Sequence, residues 1–409
     1  MISVVFIGPV FSPTGFGTAC RAYIDVLKTL PINLHVIALE TKAAAGSIAL
    51  KERTPYIPFL CRPLHDEHPA AKSELSYYDF SFTHKWVGRS TKIEKNLGLK
   101  SVGKRVWIGL WEADTYLKKW CRTLEKYYDE IASPCNFTSS VPAPIPYTAV
   151  LPYYLPSPSF RPVQSTGHKK VIFYCLATPV VRKNLIQAVR CFVAAFSGNS
   201  NVEYVIKLGR VAAHTLSNNL IDKISREVRR VPDAPRVVVL QNVVSESSIQ
   251  ALHQAGDIFF LPSHCEGFGI PQFTALRYGN PVVAPNYGGL NDFMNSSNSF
   301  DIPYRMECCK KAIKQWPFEN DGTVVSYNHS YMKWAGMTDA DVIKTLLQAY
   351  QEYKTKQSAP VQSYTRRQAA AAFEEYFTKS SSKFARKDTV CSLRLKNAGV
   401  LSFSAEVLS

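Results

Sequence analysis

A segment in the second half of the chain carries residue types that suit an anionic, hydroxyl-rich ligand. Residues 262–284 read PSHCEGFGIPQFTALRYGNPVVA, which predicts a strand, a glycine-punctuated turn and then a helix. Gly267 and Gly269 leave room for a ligand to approach the backbone, and a helix N-terminus directs free N–H groups and a positive dipole end towards it. The carboxylate of Glu266, at the mouth of the turn, can accept hydrogen bonds from sugar hydroxyls. We therefore predict a ligand site at this turn.

Two adjacent cations precede another helical pattern in the same half of the chain. Arg182 and Lys183 stand directly before the apolar stripe that predicts a helix at Leu185–Phe196. Positive charge at a helix N-terminus opposes the helix dipole unless an anion lies beside it. Both side chains form strong, charge-assisted hydrogen bonds with anions, so this pair also indicates an anionic ligand.

Short apolar runs alternate with helical patterns along the chain, and these elements must position both motifs. Alternation of this kind predicts an α/β, doubly wound fold with buried parallel strands. The predicted elements are the strands Val4–Ile7, Leu34–Leu39, Tyr77–Thr83, Val106–Leu110, Val171–Ala177, Val202–Lys207, Arg236–Leu240, Ile258–Leu261 and Pro281–Ala284, and the helices Ala22–Leu30, Leu185–Phe196, Ser247–Ala255, Asp339–Tyr353 and Arg366–Phe377.

Chain length and a proline-rich segment divide the fold into two domains. The 409 residues exceed what one hydrophobic core usually holds, and the irregular, proline-rich segment 151–170 is typical of a linker. We predict two Rossmann-like domains, 1–160 and 168–355, with a helix at about 360–378 packing back on the first and a basic tail at 379–409. Ligands of open α/β sheets bind outside the carboxyl ends of the strands, so the site is expected in the cleft between the domains.

The ordered motifs resemble those of the GT-B glycosyltransferases of family 4. Residues 266–283 resemble the signature E-G-F-G-x-P-x-x-E-A-x-x-x-G-x-P-V-V, and residues 182–185 resemble the R-K-N/G element that opens the first helix of the donor domain. In the first half, residues 8–21 resemble the first glycine loop of the family, and residues 107–112 resemble a subset with a Trp-Glu strand end. The likeness extends from about residue 2 to about residue 350.

The resemblance implies two Rossmann-like domains that face each other across a cleft. It also implies a retaining transfer of a sugar from a nucleotide-sugar donor, expected to be a UDP- or GDP-sugar, without a metal or another cofactor. Lys183 with Arg182 would bind the donor diphosphate, and Glu266 would hold the donor sugar. The donor-binding residues that the resemblance implies are Gly15, Gly17, Arg182, Lys183, Glu266, Gly267, Phe268, Gly269 and Thr274.

Two positions depart from the family pattern. Thr274 stands where the family has a second glutamate that contacts the ribose, and its hydroxyl can still form a hydrogen bond but carries no charge. Glu112 stands where family members often carry a histidine. Glu112 or His84, which closes a predicted strand, would orient or deprotonate the acceptor hydroxyl. With Glu266 and Lys183, these two residues complete the predicted catalytic set.

Excess positive charge indicates an anionic acceptor. The chain has 48 Lys and Arg against 32 Asp and Glu, a net charge of +16. A field of this sign favours nucleic acid, an acidic membrane surface or a phosphorylated substrate, and aromatic residues next to basic ones are typical of grooves that bind nucleic acid. The predicted acceptor-side patch consists of Lys85, Arg89, Lys92, Lys95, Lys104 and Arg105.

These features leave several functions open. One is a glycosyltransferase whose acceptor is an anionic polymer such as DNA with a hydroxymethylated base, and the alternative acceptor is a glycan, a lipid-linked molecule or a small molecule. Another class is a non-catalytic sugar-nucleotide-binding protein, suggested by Thr274 and by the lack, in residues 174–178, of the arginine that the family frequently has a few residues before Arg182. An epimerase or phosphorylase of the same fold is a further alternative.

The remaining sequence gives expectations about location and metal. No apolar stretch approaches the roughly 18–20 residues of a membrane span, and the first residues lack the features of a signal peptide. The ten cysteines lack metal-finger spacing and are expected to be reduced thiols. Residues 65–68, read HDEH, lie between prolines and are expected to form a polar loop. We therefore expect a cytoplasmic protein with no transmembrane segment and no metal site.

Overall fold

The computed structural model contains two six-stranded sheets, a two-stranded hairpin and covering helices in the part of the chain that it describes. The described residues are 1–39, 54–60, 77–84, 101–156, 170–209, 214–241, 245–309, 330–356 and 364–380. The predicted polar loop at 65–68 lies outside these ranges, and so does the basic tail beyond residue 380.

The first sheet is parallel throughout and has the strand order β2-β1-β3-β4-β5-β6. Its central strand β1 is apolar, and residues 4–7 are fully buried, as a strand covered on both faces requires. The strands are β1 (Ile2–Gly8), β2 (Ile32–Ala38), β3 (Tyr77–Thr83), β4 (Ser101–Ile108), β5 (Glu130–Ser133) and β6 (Tyr147–Val150), and the helices between them are α1 (Gly15–Leu27), α2 (Lys118–Tyr127) and α3 (Asn136–Ser140).

The second sheet is also parallel and has the order β12-β11-β10-β7-β8-β9. Its strands are β7 (Val171–Ala177), β8 (Val202–Leu208), β9 (Arg236–Leu240), β10 (Ile258–Phe260), β11 (Val282–Ala284) and β12 (Ser299–Asp301). Its helices are α4 (Leu185–Ala195), α5 (His214–Arg229), α6 (Glu246–Ala255), α7 (Ile270–Arg277) and α8 (Asp339–Lys356). The apolar stripe that predicted α4 is buried, with Val189 and Phe192 inaccessible to solvent.

A hairpin of β13 (Arg305–Cys308) and β14 (Lys333–Gly336) links the two domains. The backbone N–H of Lys333 donates to Oδ1 of Asp114 at 2.7 Å, and the backbone N–H of Asp114 donates to the carbonyl of Lys333 at 3.1 Å. This reciprocal pair ties the hairpin to the loop that follows β4.

The last described helix, α9 at residues 366–380, returns to the first sheet. The ring of Phe373 packs edge-on against Phe82 at 5.6 Å, and the hydroxyl of Tyr376 donates to the carboxylate of Glu130 at 2.8 Å. The first strand of the chain and the last described helix therefore belong to the same domain.

These two sheets and their helices confirm the predicted fold class of two Rossmann-like α/β domains. The exact division at 160 and 168 stays a prediction, because residues 157–169 lie outside the described part of the chain. Within the described ranges, no helix has the length and apolar character needed to cross a membrane.

One predicted element starts in the wrong place. The helix expected at Ala22–Leu30 begins at Gly15 and ends at Leu27, so Gly15 and Gly17 lie in its first turn rather than in a loop. A Cβ at Gly17 would lie 2.0 Å from the carbonyl oxygen of Ser12. The preceding loop therefore packs so closely on this turn that only glycine fits at position 17, whereas a Cβ at Gly15 would meet open space.

Candidate active site

Loops at the carboxyl ends of the two sheets meet at the expected cleft. Gly267, which follows β10, packs against the loop after β4, where a Cβ on it would lie 3.0 Å from the Leu110 side chain and 3.3 Å from the Trp111 carbonyl oxygen. The thiol of Cys135, which follows β5, donates to the Gly267 carbonyl at 2.9 Å. Two predicted motifs, the turn after β10 and the Trp-Glu strand end, are thus neighbours in space.

Four charged side chains converge where these loops meet. Arg182 donates from one terminal nitrogen to Oε2 of Glu266 at 2.9 Å, and its other terminal nitrogen lies 2.6 Å from Oε1 of Glu112. Nζ of Lys183 donates to both oxygens of Glu266, at 2.6 and 2.7 Å. All four residues are buried, with at most 8% of each exposed. We call these four residues the charged cluster.

Glu266 is the centre of the charged cluster. Besides its two cations, its carboxylate accepts hydrogen bonds from the Ser263 hydroxyl at 2.7 Å and from Nε2 of Gln272 at 3.3 Å. Burial alone would raise the pKa of Glu266, but the charges of Lys183 and Arg182 outweigh it and lower that pKa to about 2. The carboxylate is therefore ionised at every physiological pH.

The backbone explains why two adjacent cations can face one carboxylate. Residues Val181–Lys183 form a single 3₁₀ turn after β7, and Asn184 then adopts a left-handed conformation with φ of 54° before α4 begins. The turn directs Arg182 and Lys183 towards the same side. Burial lowers the pKa of Lys183, and the neighbouring Glu266 carboxylate opposes that shift.

The glycines of the turn after β10 have steric reasons for their identity. Gly269 has a φ of 87° and directly precedes α7, and a Cβ there would lie 2.4 Å from the Leu290 side chain. The ring of Phe268 packs edge-on against Phe273 at 5.4 Å and against Tyr153 of the first domain at 4.9 Å. The side chain of Phe268 is thereby committed to packing, so only its backbone amide can serve a ligand.

The overall fold is similar to that of several solved structures. The structure of Anabaena HepE in complex with UDP-glucose matches with a TM-score of 0.57 and 13% identity, over 93% of this chain and 100% of that one. Sucrose-phosphate synthase from Thermosynechococcus elongatus matches with a TM-score of 0.56 and 13% identity, over 95% and 100%. The catalytic domain of starch synthase IV from Arabidopsis thaliana, bound to ADP and acarbose, matches with 0.53 and 12%, over 93% and 99%. The chain has the GT-B fold.

Sequence comparison locates a narrower likeness in the second GT-B domain. Residues 177–307, which include Arg182, Lys183 and Glu266, match the family described as glycosyl transferases group 1. Glycogen synthase of Streptococcus agalactiae serotype III is 31% identical over 104 residues, which cover 25% of this chain and 17% of that enzyme. Glycogen synthase of Clostridium novyi is 45% identical over 51 residues, covering 12% and 11%. Each match spans less than a fifth of the length of the curated relative. Assignment to family 4 stays a prediction.

His84 lies apart from the charged cluster in the contacts that the structure gives. It is fully buried, with Nδ1 3.0 Å from the Ile108 carbonyl and Nε2 3.5 Å from the Tyr153 hydroxyl. Its ring also packs against Phe16 of the first turn of α1, at 5.3 Å between centroids. Burial lowers the pKa of His84 to about 4, so the ring is neutral near pH 7. None of these contacts tests the predicted role of His84 at the acceptor, so that role stays a prediction.

The acceptor-side patch is described only in part. Lys85, Arg89, Lys92 and Lys95 lie outside the described residues. Lys104 donates to the Glu130 carboxylate at 2.7 Å, and the same carboxylate binds Tyr376 of α9. Arg105 lies on β4 as well and is half-buried. The charge of Lys104 is thus used within the fold of the first GT-B domain.

Sequence reasoning did not identify some residues of the site. Ser263 and Gln272 donate hydrogen bonds to Glu266. Both lie in the segment 262–284, so their position near Glu266 in the sequence is the signal that could have identified them. Thr274, the predicted ribose contact, is half-buried on α7. Among the residues that the structure describes, no group of three or more His, Cys, Asp or Glu is placed to hold a metal ion.

Proposed function

We propose that the protein is a glycosyltransferase that moves a sugar from a nucleotide-sugar donor to an acceptor hydroxyl. One observation carries the proposal: Arg182 and Lys183 converge on Glu266 where the two GT-B domains meet, within the segment that matches glycosyl transferases group 1. Two buried cations suit a diphosphate leaving group, and a buried carboxylate suits sugar hydroxyls.

Each residue of the charged cluster has a part in this proposal. As the bond between the sugar C1 and the diphosphate breaks, Arg182 and Lys183 neutralise the negative charge that develops on the leaving group. Glu266 accepts hydrogen bonds from the donor sugar. The acceptor oxygen forms the new bond to C1, and its proton passes to a donor phosphate oxygen or to Glu112. Attack on the face that the diphosphate leaves gives a retaining reaction. The two cations stabilise the leaving group without a metal.

The donor is proposed to be a UDP- or GDP-sugar. Solved structures of the same fold contain UDP-glucose in HepE and ADP in starch synthase IV, which supports a nucleoside diphosphate as the leaving group. Thr274, in place of a charged residue, is proposed to contact the ribose through a neutral hydroxyl. The choice of nucleotide base then depends on other residues of the second domain.

The acceptor is proposed to be an anionic polymer, with DNA that carries a hydroxymethylated base as the specific candidate. The net charge of +16 and the basic residues between 85 and 105 support this choice. A glycan acceptor is the second candidate, because the matched curated relatives are glycogen synthases. Lipid-linked and small-molecule acceptors complete the set to be tested.

A donor screen tests the proposed function. UDP-, GDP- and ADP-sugars are added to the full chain, and the melting temperature is measured for each. A true donor present at 100 times its Kd stabilises the native state by about 2.7 kcal/mol, and the stabilisation should be lost in Glu266→Ala. If none of the nucleotide sugars stabilises the protein, the proposed function is wrong.

A transfer assay then separates catalysis from binding. The donor found in the screen is radiolabelled in its sugar and incubated with hydroxymethylated DNA, unmodified DNA of the same sequence, or an α-glucan. Label on hydroxymethylated DNA alone supports the DNA acceptor, and label on the glucan alone supports the glycan acceptor. Donor binding without transfer or hydrolysis supports the non-catalytic sugar-nucleotide-binding protein instead.

A further inference from the structure

One contact of the charged cluster crosses between the domains. Glu112 belongs to the loop after β4 of the first domain, and its carboxylate lies 2.6 Å from a terminal nitrogen of Arg182 in the second domain. The side chains of both residues are about nine-tenths buried. A buried ion pair of this kind is costly to break unless another charge replaces the one removed.

The charges of the cluster cancel without any ligand. Arg182 and Lys183 supply two positive charges, and Glu112 and Glu266 supply two negative ones. A diphosphate that binds the two cations adds further negative charge beside both carboxylates. Glu266 keeps Lys183, Ser263 and Gln272 as donors within its own domain, whereas Glu112 reaches Arg182 from the first domain. Repulsion by the diphosphate can therefore separate Glu112 from Arg182 without breaking contacts inside the second domain.

The loop around Glu112 is held on both sides. The indole N–H of Trp111, which is fully buried, donates to the Thr115 carbonyl at 2.8 Å. Asp114 is joined to Lys333 of the β13–β14 hairpin by the two hydrogen bonds described above, one of which its side-chain carboxylate accepts. Because its neighbours are fixed, separation of Glu112 from Arg182 would require rotation of the Glu112 side chain rather than movement of the loop.

We propose that Glu112 occupies the place of a donor phosphate oxygen at Arg182 until the donor binds. This inference rests on the proposed function, and it specifies how that site is regulated. The incoming diphosphate displaces the Glu112 carboxylate, and the displaced carboxylate becomes the group that accepts the proton of the acceptor hydroxyl. Donor binding thus precedes productive binding of the acceptor.

Titration with inorganic pyrophosphate and with UDP tests the competition. Affinities are measured by calorimetry for the wild type, Glu112→Gln and Asp114→Ala. Glu112→Gln removes the competing charge, so both ligands should bind about tenfold more tightly. Asp114→Ala is the matched control, because it removes a link between the same loop and the hairpin without touching Arg182, and its affinities should stay within about twofold of the wild type.

Turnover supplies the second readout. Glu112→Gln should lower kcat for sugar transfer by about 10²-fold although it binds the diphosphate more tightly, a combination that a merely structural residue would not give. Glu112→Asp keeps the charge, so it should retain a larger part of kcat without tighter diphosphate binding. Glu112→Ala, which also removes the charge, serves in place of Glu112→Gln if that variant does not fold.

Each possible negative result of these experiments leads to a different conclusion. Unchanged or weaker pyrophosphate binding by Glu112→Gln overturns the competition but leaves the glycosyltransferase proposal standing. Equal tightening by Asp114→Ala also overturns it, since the gain would then come from separating the domains. Absence of both pyrophosphate and UDP binding in the wild type overturns the proposed function and this inference together.

Discussion

The two sides of the cleft hold their polar groups in different ways. On the side of the second domain, Arg182, Lys183 and Glu266 form a buried network of charged hydrogen bonds. On the side of the first domain, Glu112 reaches this network, while His84 lies among aromatic rings with a carbonyl and a hydroxyl as partners. In the proposed function, the second domain compensates the charge of a phosphate-containing donor. The first domain contributes one exchangeable carboxylate in the same proposal, and acceptor choice then depends on residues beyond the charged cluster.

The largest expected effect comes from breaking the network at its centre. Glu266→Gln removes the charge that compensates two buried cations, so we expect a loss of about 3–5 kcal/mol in the free energy of unfolding and a fall in transfer rate of about 10²–10³-fold. Urea unfolding and a transfer assay measure the two effects. Glu375→Gln is the control, because Glu375 pairs with Lys379 on an exposed helix surface and its loss should change neither quantity. A stable, active Glu266→Gln variant would contradict the special place given to this carboxylate.

Lys183→Met tests the donor side without removing the carboxylate. The substitution keeps much of the side-chain volume and removes one charge-assisted contact to the diphosphate, so UDP-sugar binding should weaken about 10- to 100-fold. Calorimetry on the donor measures this change. Lys28→Met, at an ion pair with Asp25 at the C-terminal end of α1, should leave the affinity unchanged. Equal affinities in the wild type and Lys183→Met would place the diphosphate elsewhere.

Acid should remove the stabilising contributions of the two sides of the cleft in separate pH ranges. Burial lowers the pKa of His84 to about 4, so His84 is neutral in the folded chain, whereas an unfolded histidine takes up its proton near pH 6.5. Its contribution to stability is therefore complete above pH 6.5 and is lost as the pH falls towards 4, by roughly 2 kcal/mol at pH 5. Glu266 has a lowered pKa of about 2, so its contribution is complete above about pH 4.5 and is lost only as the pH falls towards 2.

Variants can separate these two ranges. Between pH 7 and pH 5, the free energy of unfolding of His84→Asn, measured with urea, should fall by about 2 kcal/mol less than that of the wild type. Two other buried histidines, His253 and His264, have pKa values lowered to about 3 and about 4 and contribute to the same range in both proteins. An identical pH dependence in wild type and His84→Asn would show that His84 is already charged in the folded chain.

The smallest predicted effect concerns the ribose contact. Thr274→Val keeps the shape of the side chain and removes a neutral hydroxyl, so nucleotide-sugar affinity should fall by up to about tenfold, the value of one ordinary hydrogen bond. Thr274→Ser, which keeps the hydroxyl, is the control and should bind almost as the wild type does. Competition with a 2′-deoxynucleotide measures whether the loss arises at the ribose. An unchanged affinity in Thr274→Val would place the ribose away from α7.

Much of the fold could be predicted from the sequence because its strands are short, apolar and buried. The predicted bounds of β3, β7 and β9 match the structure to the residue. The elements that were missed have weaker patterns. Helix α2 is mostly polar, with only Trp120 and Leu124 buried, and strands β5 and β6 are four residues each. The start of α1 was misplaced because two glycines suggest a loop, whereas here Gly17 allows close packing on the helix.

The residues of the candidate site also differ in how well the sequence alone could predict them. Arg182, Lys183 and Glu266 could be proposed from local motifs, because each stands at the junction of a strand and a helix. The pairing of Glu112 with Arg182 could not, since it joins residues on two domains and depends on how the domains meet. The sequence also suggested His84 as an alternative to Glu112 at the acceptor, and only the packing of Phe16 and Tyr153 around it reveals its aromatic surroundings.

A crystal structure of the full chain with bound UDP tests the central claim most directly. The account predicts that the diphosphate oxygens lie within about 3 Å of the terminal nitrogens of Arg182 and Lys183, and that the Glu112 carboxylate has left Arg182. A diphosphate bound away from these two side chains, with the Glu112–Arg182 pair intact, would contradict it.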